Sequence, residues 1–417
     1  MSNYKFEENI NDKLLNSYKI LILIFPILIV IGNFMSNLVV SLSIPVILYI
    51  ILTKKKSNFY LNNDILLVFF VFLYLLLSSI ISKNIYSIEY SLRYLRFFTF
   101  ILTIYYFLKF DDKFEKKFLK LFNLIFFILL LDGFYQYFTG SDLIGIEKKV
   151  DHRISGFFGD ELILGSFISK YIFIFFIYYF YYKKNDKLFF LFFLISLIIL
   201  TYISGERVAF FSIMFFSIVA LSKLGKFKVV FIFCLFIMSI LFTISIKDST
   251  TRDRMITQTL KQTKLLKEWK NPKKILFYSD DHNAHYQSAY LMFKKGNYKD
   301  KLFGRGLKSF RINCSKNTFC DTAGGCCATH PHNIFFQIIS ETGLIGFAIY
   351  LYFFLNLTRN IIISFLKKIN KPKFFLVNLA LFVNLLPIIP SGNIFGSFMS
   401  FNSAILISYY IYLTQNE

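Results

Sequence analysis

The sequence predicts an all-α polytopic membrane protein with about twelve transmembrane helices and one long loop between the ninth and the tenth. Two observations lead to this fold class. Of the 417 residues, 56% are hydrophobic and 20% aromatic, with a mean hydropathy of +0.55, and the apolar residues fall into long runs. Each crossing of about 30 Å of hydrocarbon needs roughly 20 apolar residues, so the spans use most of the apolar content. A large soluble enzyme domain is therefore excluded.

Twelve apolar runs are predicted as spans from their length and composition. They cover 18–33, 36–52, 63–82, 88–108, 118–138, 162–182, 187–204, 207–222, 227–246, 333–356, 373–390 and 397–414. One integral membrane domain results, with spans 1 to 9 in residues 1–246, the large loop at 247–331 and spans 10 to 12 in residues 332–417. No small-residue cleavage site follows the first run, so we expect a retained anchor rather than a signal peptide.

The basic residues predict the orientation. A net charge of +22 is typical of nucleic-acid binding, but most of the lysines lie in short clusters between apolar runs, which is how membrane proteins fix their topology. The clusters fall in every second connection, at 54–56, 109–117, 183–187, 223–228 and 359–373. We therefore expect both termini in the cytoplasm, a lipid bilayer as the partner and no nucleic acid.

The polar stretch at 247–331 is predicted to lie outside. It holds 17 Lys or Arg against seven Asp or Glu, and a loop of this length is translocated regardless of its charge. Its cationic excess would attract anionic head groups or a diphosphate. Its opening part, from Thr251 to Lys270, mixes apolar and basic residues. It is predicted either as an amphipathic helix on the membrane face or as a helix packed over the bundle.

Four of the five cysteines lie near the end of this loop, at Cys314, Cys320, Cys326 and Cys327. In an oxidising compartment they predict up to two disulfides, with three possible connectivities. A thiolate metal site with the neighbouring histidines is the alternative, and we favour the disulfides because such sites belong mostly to reducing compartments. We expect no metal. Cys234 lies in an apolar run and is predicted to be a small buried hydrophobe.

All five histidines map to the outside face. His282 and His285 are interpreted as loop surface residues in preference to a chemical role. His330 and His332 lie where the loop re-enters the membrane, with water on one side and apolar surroundings on the other. An imidazole there suits a general base with a pKa near the working pH; the alternative is a helix-capping or loop-anchoring role. His152 precedes the sixth span.

Several charged residues lie at the outer ends of spans. Burial of charge in the membrane is costly, so each of these positions needs a structural or functional explanation. Glu89, Arg93 and Arg96 share one face of the fourth span, and Arg153 and Arg207 precede later spans. On the fourth span, a Glu89–Arg93 ion pair with Arg96 reaching towards the interface is the structural alternative. Because guanidinium groups grip phosphate oxygens at two points, the outer arginines predict a pyrophosphate clamp.

At this point the chain resembles a known family. The segment HNIFFQIISETGLIG, from His332, has the His, Asn, Gly343 and Gly346 spacing of bacterial O-antigen ligases and O-antigen polymerases. It follows a long loop with a Gly304-Arg305-Gly306 turn, and Gln337 and Glu341 fit the same block. RISGFFGDELILGS and SGERVAF resemble two arginine-bearing blocks of the family. This sequence differs from the family at Asp160 and Glu161, where many members have Pro and Asn.

The resemblance implies glycosyl transfer from an undecaprenyl-diphosphate-linked glycan at the periplasmic face of the bacterial inner membrane, without cofactor or metal. His332 would be the base, and Arg207 and Arg153 would hold the diphosphate. Secondary diphosphate ligands would be Arg93, Arg96, Arg305 and Arg311, and supporting residues His330, Asn333, Glu341, Gly343 and Gly346.

Three functions stay open. A ligase moves the glycan onto a lipid A-core acceptor, and the His, Asn, Gly, Gly spacing favours it slightly. A polymerase moves the glycan onto another lipid-linked repeat unit. In the third function the charged residues line the path of a transporter or flippase, although broken helices in matched halves are not evident.

Overall fold

The computed structural model describes residues 13–53, 62–183, 186–225, 227–264, 280–316, 318–320, 326–367, 371–387 and 389–416. Within these ranges the chain forms helices and loops, and its extended pairings are limited to two isolated β-bridges in the connection 140–163. The predicted helical class is therefore confirmed.

The helices of the first part are α1 (Lys13–Leu23), α2 (Phe25–Ile31), α3 (Asn33–Thr53), α4 (Asn63–Ile81), α5 (Ile85–Arg93), α6 (Leu95–Phe110), α7 (Phe114–Thr139), α8 (Leu164–Tyr182), α9 (Lys187–Ile203), α10 (Arg207–Leu224) and α11 (Phe227–Lys247). The large loop contains α12 (Ser249–Arg252), a π-helical turn (Asp253–Thr257), α13 (Gln258–Gln262), α14 (Asp280–Lys294), α15 (Tyr298–Phe303) and α16 (Phe310–Asn313). The last part contains α17 (Ile334–Leu366), α18 (Pro372–Asn384) and α19 (Ser397–Asn416).

Seven described helices are long and apolar enough to cross a membrane, namely α3, α4, α7, α8, α10, Val230–Lys247 of α11, and α17. The pair α1 and α2, bent by 55°, is an eighth candidate, and α9 and α18 are apolar but shorter. The chain is thus a multi-pass helical membrane protein. A helix or helix pair lies at each of the twelve predicted runs, but the count of twelve spans stays a prediction.

The large loop between α11 and α17 lies at one end of the bundle, which we call the loop end. Ser78, near the end of α4, donates a hydrogen bond to the carbonyl of Phe303 at 2.6 Å. Of the predicted helix at 251–270, the part up to Gln262 is helical, and residues 265–279 lie outside the described ranges.

A small core stabilises the loop. Ala289 and Met292 of α14 pack against Phe310 and Cys314. Two disulfides lie beside this core and select one of the three connectivities, joining Cys314 to Cys327 and Cys320 to Cys326. The loop is therefore a packed cap with its own apolar centre.

α17 is broken at Gly343, where φ is 67° and ψ is −167°. A break in a helix leaves backbone groups without their usual partners, and the loop supplies new ones. The amides of Arg305 and Gly306 donate to the carbonyls of Ser340 and Glu341 at 3.3 and 2.9 Å. The Gly304-Arg305-Gly306 turn is therefore docked on the break.

Only glycine fits at this crossing. A Cβ on Gly343 would lie 2.5 Å from the amide nitrogen of Gly304, and a Cβ on Gly304 would lie 2.3 Å from the carbonyl oxygen of Glu341. Both residues also have positive φ, which side chains rarely adopt. Two of the glycines that carry the family resemblance thus bring the loop and α17 into backbone contact. Gly346 adds a third close approach, to the side chain of Thr342.

Candidate functional site

Four histidines come together at the loop end, and we call them the histidine cluster: His282, His285, His330 and His332. The ring centre of His332 lies 4.1 Å from that of His330, 5.2 Å from that of His282 and 5.4 Å from that of His285. The sequence interpretation of His282 and His285 as loop surface residues missed this contact, because it depends on how α14 packs against α17.

The start of α17 holds the two motif histidines. Asn333 caps the helix, since its side-chain oxygen accepts the amides of Phe335 and Phe336 at 2.9 and 3.3 Å. His332 has a positive φ of 59°, and its carbonyl accepts the amide of Ser391 at 2.8 Å. His330 Nε2 lies 3.1 Å from the carbonyl oxygen of Ser391. Capping thus falls to Asn333 and anchoring to His330, while the ring of His332 faces other imidazoles.

Burial keeps both motif imidazoles neutral. It lowers the pKa of His332 to about 3, with further lowering by His330, His282 and His285. Burial also lowers the pKa of His330 to about 4, against the hydrogen bond to Ser391, which raises it. At neutral pH these rings are therefore unprotonated and can accept a proton. The expectation of a pKa near the working pH is wrong, because burial disfavours the protonated imidazoles.

A group of cations lies around Tyr90, and we call it the Lys308 cluster: Arg93, Arg96, Lys308 and Arg311. The Lys308 ammonium contacts the Tyr90 hydroxyl and lies 3.7 Å from the centre of its ring. Arg311 donates to the Tyr86 hydroxyl at 3.2 Å. Burial lowers the pKa of Lys308 to about 8. The charge of Lys308 also acts on His330, so this cluster lies near the histidine cluster.

Two of the predicted secondary ligands have carboxylate partners. Arg93 pairs with Glu89 at 3.2 Å, with both side chains mostly exposed, as the structural alternative for the fourth span expected. Arg305 pairs with Asp300 at 3.0 Å and donates to the carbonyl of Met292 at 3.0 Å. Arg305 therefore has a visible role in holding the loop, which leaves Arg96, Lys308 and Arg311 as the stronger candidates for an anion.

A second cationic group, which we call the Arg207 cluster, contains Arg153, Arg207 and Arg254. Each guanidinium acts electrostatically on the others. They meet around Gly205, whose carbonyl accepts Arg254 Nε at 3.3 Å and whose Cβ position would lie 2.6 Å from the carbonyl of His152. Among the residues that the structure describes, none of the three forms an ion pair with a carboxylate.

Glu206, which directly precedes Arg207, does not neutralise this cluster by contact. Its carboxylate accepts the amides of Gly165 and Ser166 at 2.7 and 3.1 Å, at the start of α8. Burial lowers the pKa of Arg254, and the charge of Arg153 lowers it further. Three guanidinium groups so close together raise one another's energy, and an anion between them would relieve it. Sequence reasoning missed Arg254, which lies within the basic stretch that follows α11.

α7 positions the loop that carries Arg153. Gln136 accepts the amides of Ser155 and Gly156 at 3.0 and 2.8 Å, and Asp132 accepts that of Phe157 at 2.8 Å. These buried side chains hold the loop segment that follows Arg153. Arg153 itself donates to the carbonyl of Leu162 at 2.8 Å.

An apolar cavity of about 280 Å³ lies between α4, α6, α17, α18 and α19. Its lining extends from Ile338 and Phe395 near the loop end to Asp64 and Ile411 near the other end. Leu307, next to Lys308, packs with Leu75 and Phe395 at its top. The cavity therefore ends beneath the Lys308 cluster. Residues of α4 and α17 also line an apolar groove on the bundle surface, and Leu67, Ile349 and Tyr352 belong to both.

A partly buried lysine of α8 contacts α18 beside the cavity. Lys170 of α8 donates to Asn384 at 3.0 Å, and its carbonyl accepts the Asn402 amide at 3.0 Å. Asn384 also lines the cavity. The signal in the sequence was a single lysine inside an apolar run, which marks an intramembrane polar site and which our sequence reading did not use. Lys170, Asn384 and Asn402 thus form a polar contact between α8, α18 and α19 beside the cavity.

The remaining motif residues support the site. Glu341 accepts the amide of Phe310 at 3.1 Å and the side-chain amide of Gln337 at 3.1 Å. Gln337 also donates to Asn393 at 2.8 Å and accepts the amide of Ile394 at 3.2 Å. These two residues thus connect α17, the loop beside Lys308 and the segment above the cavity. In the described ranges no group of three or more His, Cys, Asp or Glu residues is arranged to hold a metal ion.

No protein-family model matches the chain, and no curated protein matches it. The resemblance to O-antigen ligases and polymerases therefore rests on the motifs alone and stays a prediction.

Proposed function

We propose that this protein is a metal-independent membrane glycosyltransferase of the O-antigen ligase and polymerase type, with its site at the periplasmic face of a bacterial inner membrane. Its donor is an undecaprenyl-diphosphate-linked glycan. One observation carries the proposal: a cationic cluster and neutral histidines lie near one another above the loop end of an apolar cavity. A polyprenyl diphosphate has the matching chemistry, an apolar chain and an anionic head.

The chemistry assigns a role to each part. The cavity accepts part of the polyprenyl chain, and the cations above its loop end hold the diphosphate and stabilise the charge that grows on it as it leaves. His332 accepts the proton of the acceptor hydroxyl as the oxygen attacks the anomeric carbon. The sugar diphosphate is already activated, so orientation, proton removal and charge stabilisation suffice.

A ligase is the first candidate because of the His332 motif spacing. A polymerase is the second, favoured by the presence of two cationic clusters, since both of its substrates carry a diphosphate. The profile of surface glycans from a deletion strain separates these functions. Core lipopolysaccharide without any O-chain indicates a ligase, and a core with one O-unit indicates a polymerase. Donor that accumulates on the cytoplasmic side contradicts the proposal and indicates a transporter or flippase.

The direct test is the substitution His332→Ala. We expect transfer to fall by about 10²–10⁴-fold, the contribution of a general base, while the purified protein keeps its expression level and elution volume. The measurement is transfer of a labelled glycan from the undecaprenyl-diphosphate donor in reconstituted vesicles.

Thr318→Ala is the matched control, because Thr318 lies in the same loop with an exposed side chain. It should keep wild-type activity. Near wild-type transfer by His332→Ala would remove the catalytic assignment.

A further inference from the structure

Half of the histidine cluster comes from outside the motif that carries the family resemblance. His282 and His285 belong to α14, and they reach His332 across about 50 residues of chain, at 5.2 and 5.4 Å between ring centres. They lie three positions apart, which places them on one face of α14. The fold thus brings two additional imidazoles to the proposed base.

The packing of α14 fixes this arrangement. Tyr286 stacks on Phe336 of α17, with ring centres 5.0 Å apart and planes at 14°. On the next turn of α14, Ala289 and Met292 enter the small core beside the Cys314–Cys327 disulfide. The two histidines are therefore held against His332 by the stacking of Tyr286 and by the buried contacts of the following turn.

The groups that face His332 are imidazoles. His330 comes from its own segment and His282 and His285 from α14, and Lys308 of the neighbouring loop acts on His330. In hydrolase triads a buried carboxylate orients the catalytic imidazole and stabilises its protonated form. In the described surroundings of His332, the positions next to the ring are taken by other imidazoles instead.

We propose that His282 and His285 are positioning and proton-relay residues for His332 in glycosyl transfer, an inference that rests on the proposed function. In the transfer step, the acceptor hydroxyl gives its proton to a ring nitrogen of His332 while its oxygen bonds to the anomeric carbon. The bond from that carbon to the diphosphate oxygen breaks, and the diphosphate leaves with the electron pair. The proton then passes through His285 or His282 to water, and His332 returns to its neutral form.

The relay answers a difficulty of the site. Because burial disfavours the protonated form of His332, an imidazolium there is short of stabilisation. Neighbouring imidazoles can take the proton, since neutral imidazole has both an acceptor and a donor nitrogen. The extra charge is then moved towards solvent before the next cycle.

The experiment uses the full-length protein in vesicles with His282→Ala, His285→Ala and the double variant. We expect the double variant to lose about tenfold or more in kcat, part of the 10²–10⁴-fold that a base supplies. KM for the donor should change by about twofold or less, since no contact with the donor is removed. The single variants should lose less than the double.

A second readout separates relay from structure. Removal of two imidazoles that lower the pKa of His332 should move the acid limb of the kcat/KM profile to higher pH in the double variant. Added imidazole should restore part of its kcat, and the restoration should follow the neutral form of imidazole. Gln287→Ala, on the exposed face of α14, is the matched control and should behave as the wild type.

The relay is overturned if the double variant keeps the wild-type kcat. It is also overturned if activity is lost with an unshifted acid limb and no response to imidazole, or if a chelator abolishes wild-type transfer and added zinc restores it. An active double variant together with an inactive His332→Ala removes the relay and leaves the proposed function in place. An active His332→Ala removes the base itself.

Discussion

At the scale of single residues, the site is defined by which charges have partners. Glu89 holds Arg93 and Asp300 holds Arg305, whereas the guanidinium groups of the Arg207 cluster face one another. The sequence indicated which arginines lie at the outer ends of the spans, because charged residues beside an apolar run are easily recognised. It also offered the Glu89–Arg93 ion pair, because these residues lie one helical turn apart. It could not indicate that Arg153, Arg207 and Arg254 come together, since they belong to distant parts of the chain.

Lys308 gives the site a pH dependence on its alkaline side. Its pKa is lowered to about 8 by burial, so the ammonium loses its charge as the pH rises through this value. A neutral amine cannot hold a diphosphate by charge, so kcat/KM for the donor should fall above about pH 8 in the free enzyme. The measurement is kcat/KM across roughly pH 6.5 to 9.5.

Lys308→Arg is the matched variant for this prediction. A guanidinium stays charged throughout that range, so its profile should lack the alkaline fall. An equal fall in wild type and variant would show that another group titrates, and a flat wild-type profile would remove Lys308 from the donor site.

At the scale of elements, α17 is the helix on which the site is built. Its start holds the motif histidines, and its break at Gly343 receives the Gly304-Arg305-Gly306 turn. The sequence predicted a span here and singled out both glycine motifs. It did not predict that the two glycine motifs contact each other. Spacing along the chain does not show which backbone segment packs against a glycine.

Gly343→Ala should destabilise the protein. The substitution places a Cβ 2.5 Å from the backbone of Leu302 and Gly304, at a φ of 67°. Strain of this kind costs about 1–3 kcal/mol for the backbone alone, and the clash with the loop adds to it. The apparent melting temperature in detergent should drop clearly. It is measured from the fraction of protein that elutes as a single species after heating.

Gly392→Ala is the control for this measurement, because its Cβ would meet only the flexible side chain of Met399, at 3.4 Å. It should melt close to the wild type. If Gly343→Ala has the same melting temperature as Gly392→Ala, the tight crossing between loop and helix does not contribute to stability.

At the scale of the whole molecule, apolar content and periodicity predicted the helical membrane class and the large loop. The arrangement of the bundle was beyond the sequence, because transmembrane helices are apolar on most sides and their partners are chosen by packing. The sequence therefore could not predict the cavity, the contact of Lys170 with Asn384 or the docking of α14.

The predicted orientation is tested with reporter fusions. Because lysines concentrate on one side of the bundle, green fluorescent protein attached after Glu417 should fluoresce, and alkaline phosphatase inserted at Gly296 should be active. The reverse pattern at both positions would place the histidine cluster in the cytoplasm and remove the periplasmic site.

The groove between α4 and α17 bears on how the rate would be measured. Leu67, Ile349 and Tyr352 line both this outer surface and the inner cavity. Under the proposed function, a prenyl chain that entered between the two helices would stay in the hydrocarbon. Encounter would then take place in two dimensions, and turnover would depend on the mole fraction of donor in the lipid rather than on its amount per litre. Added phospholipid or detergent would then dilute the reaction.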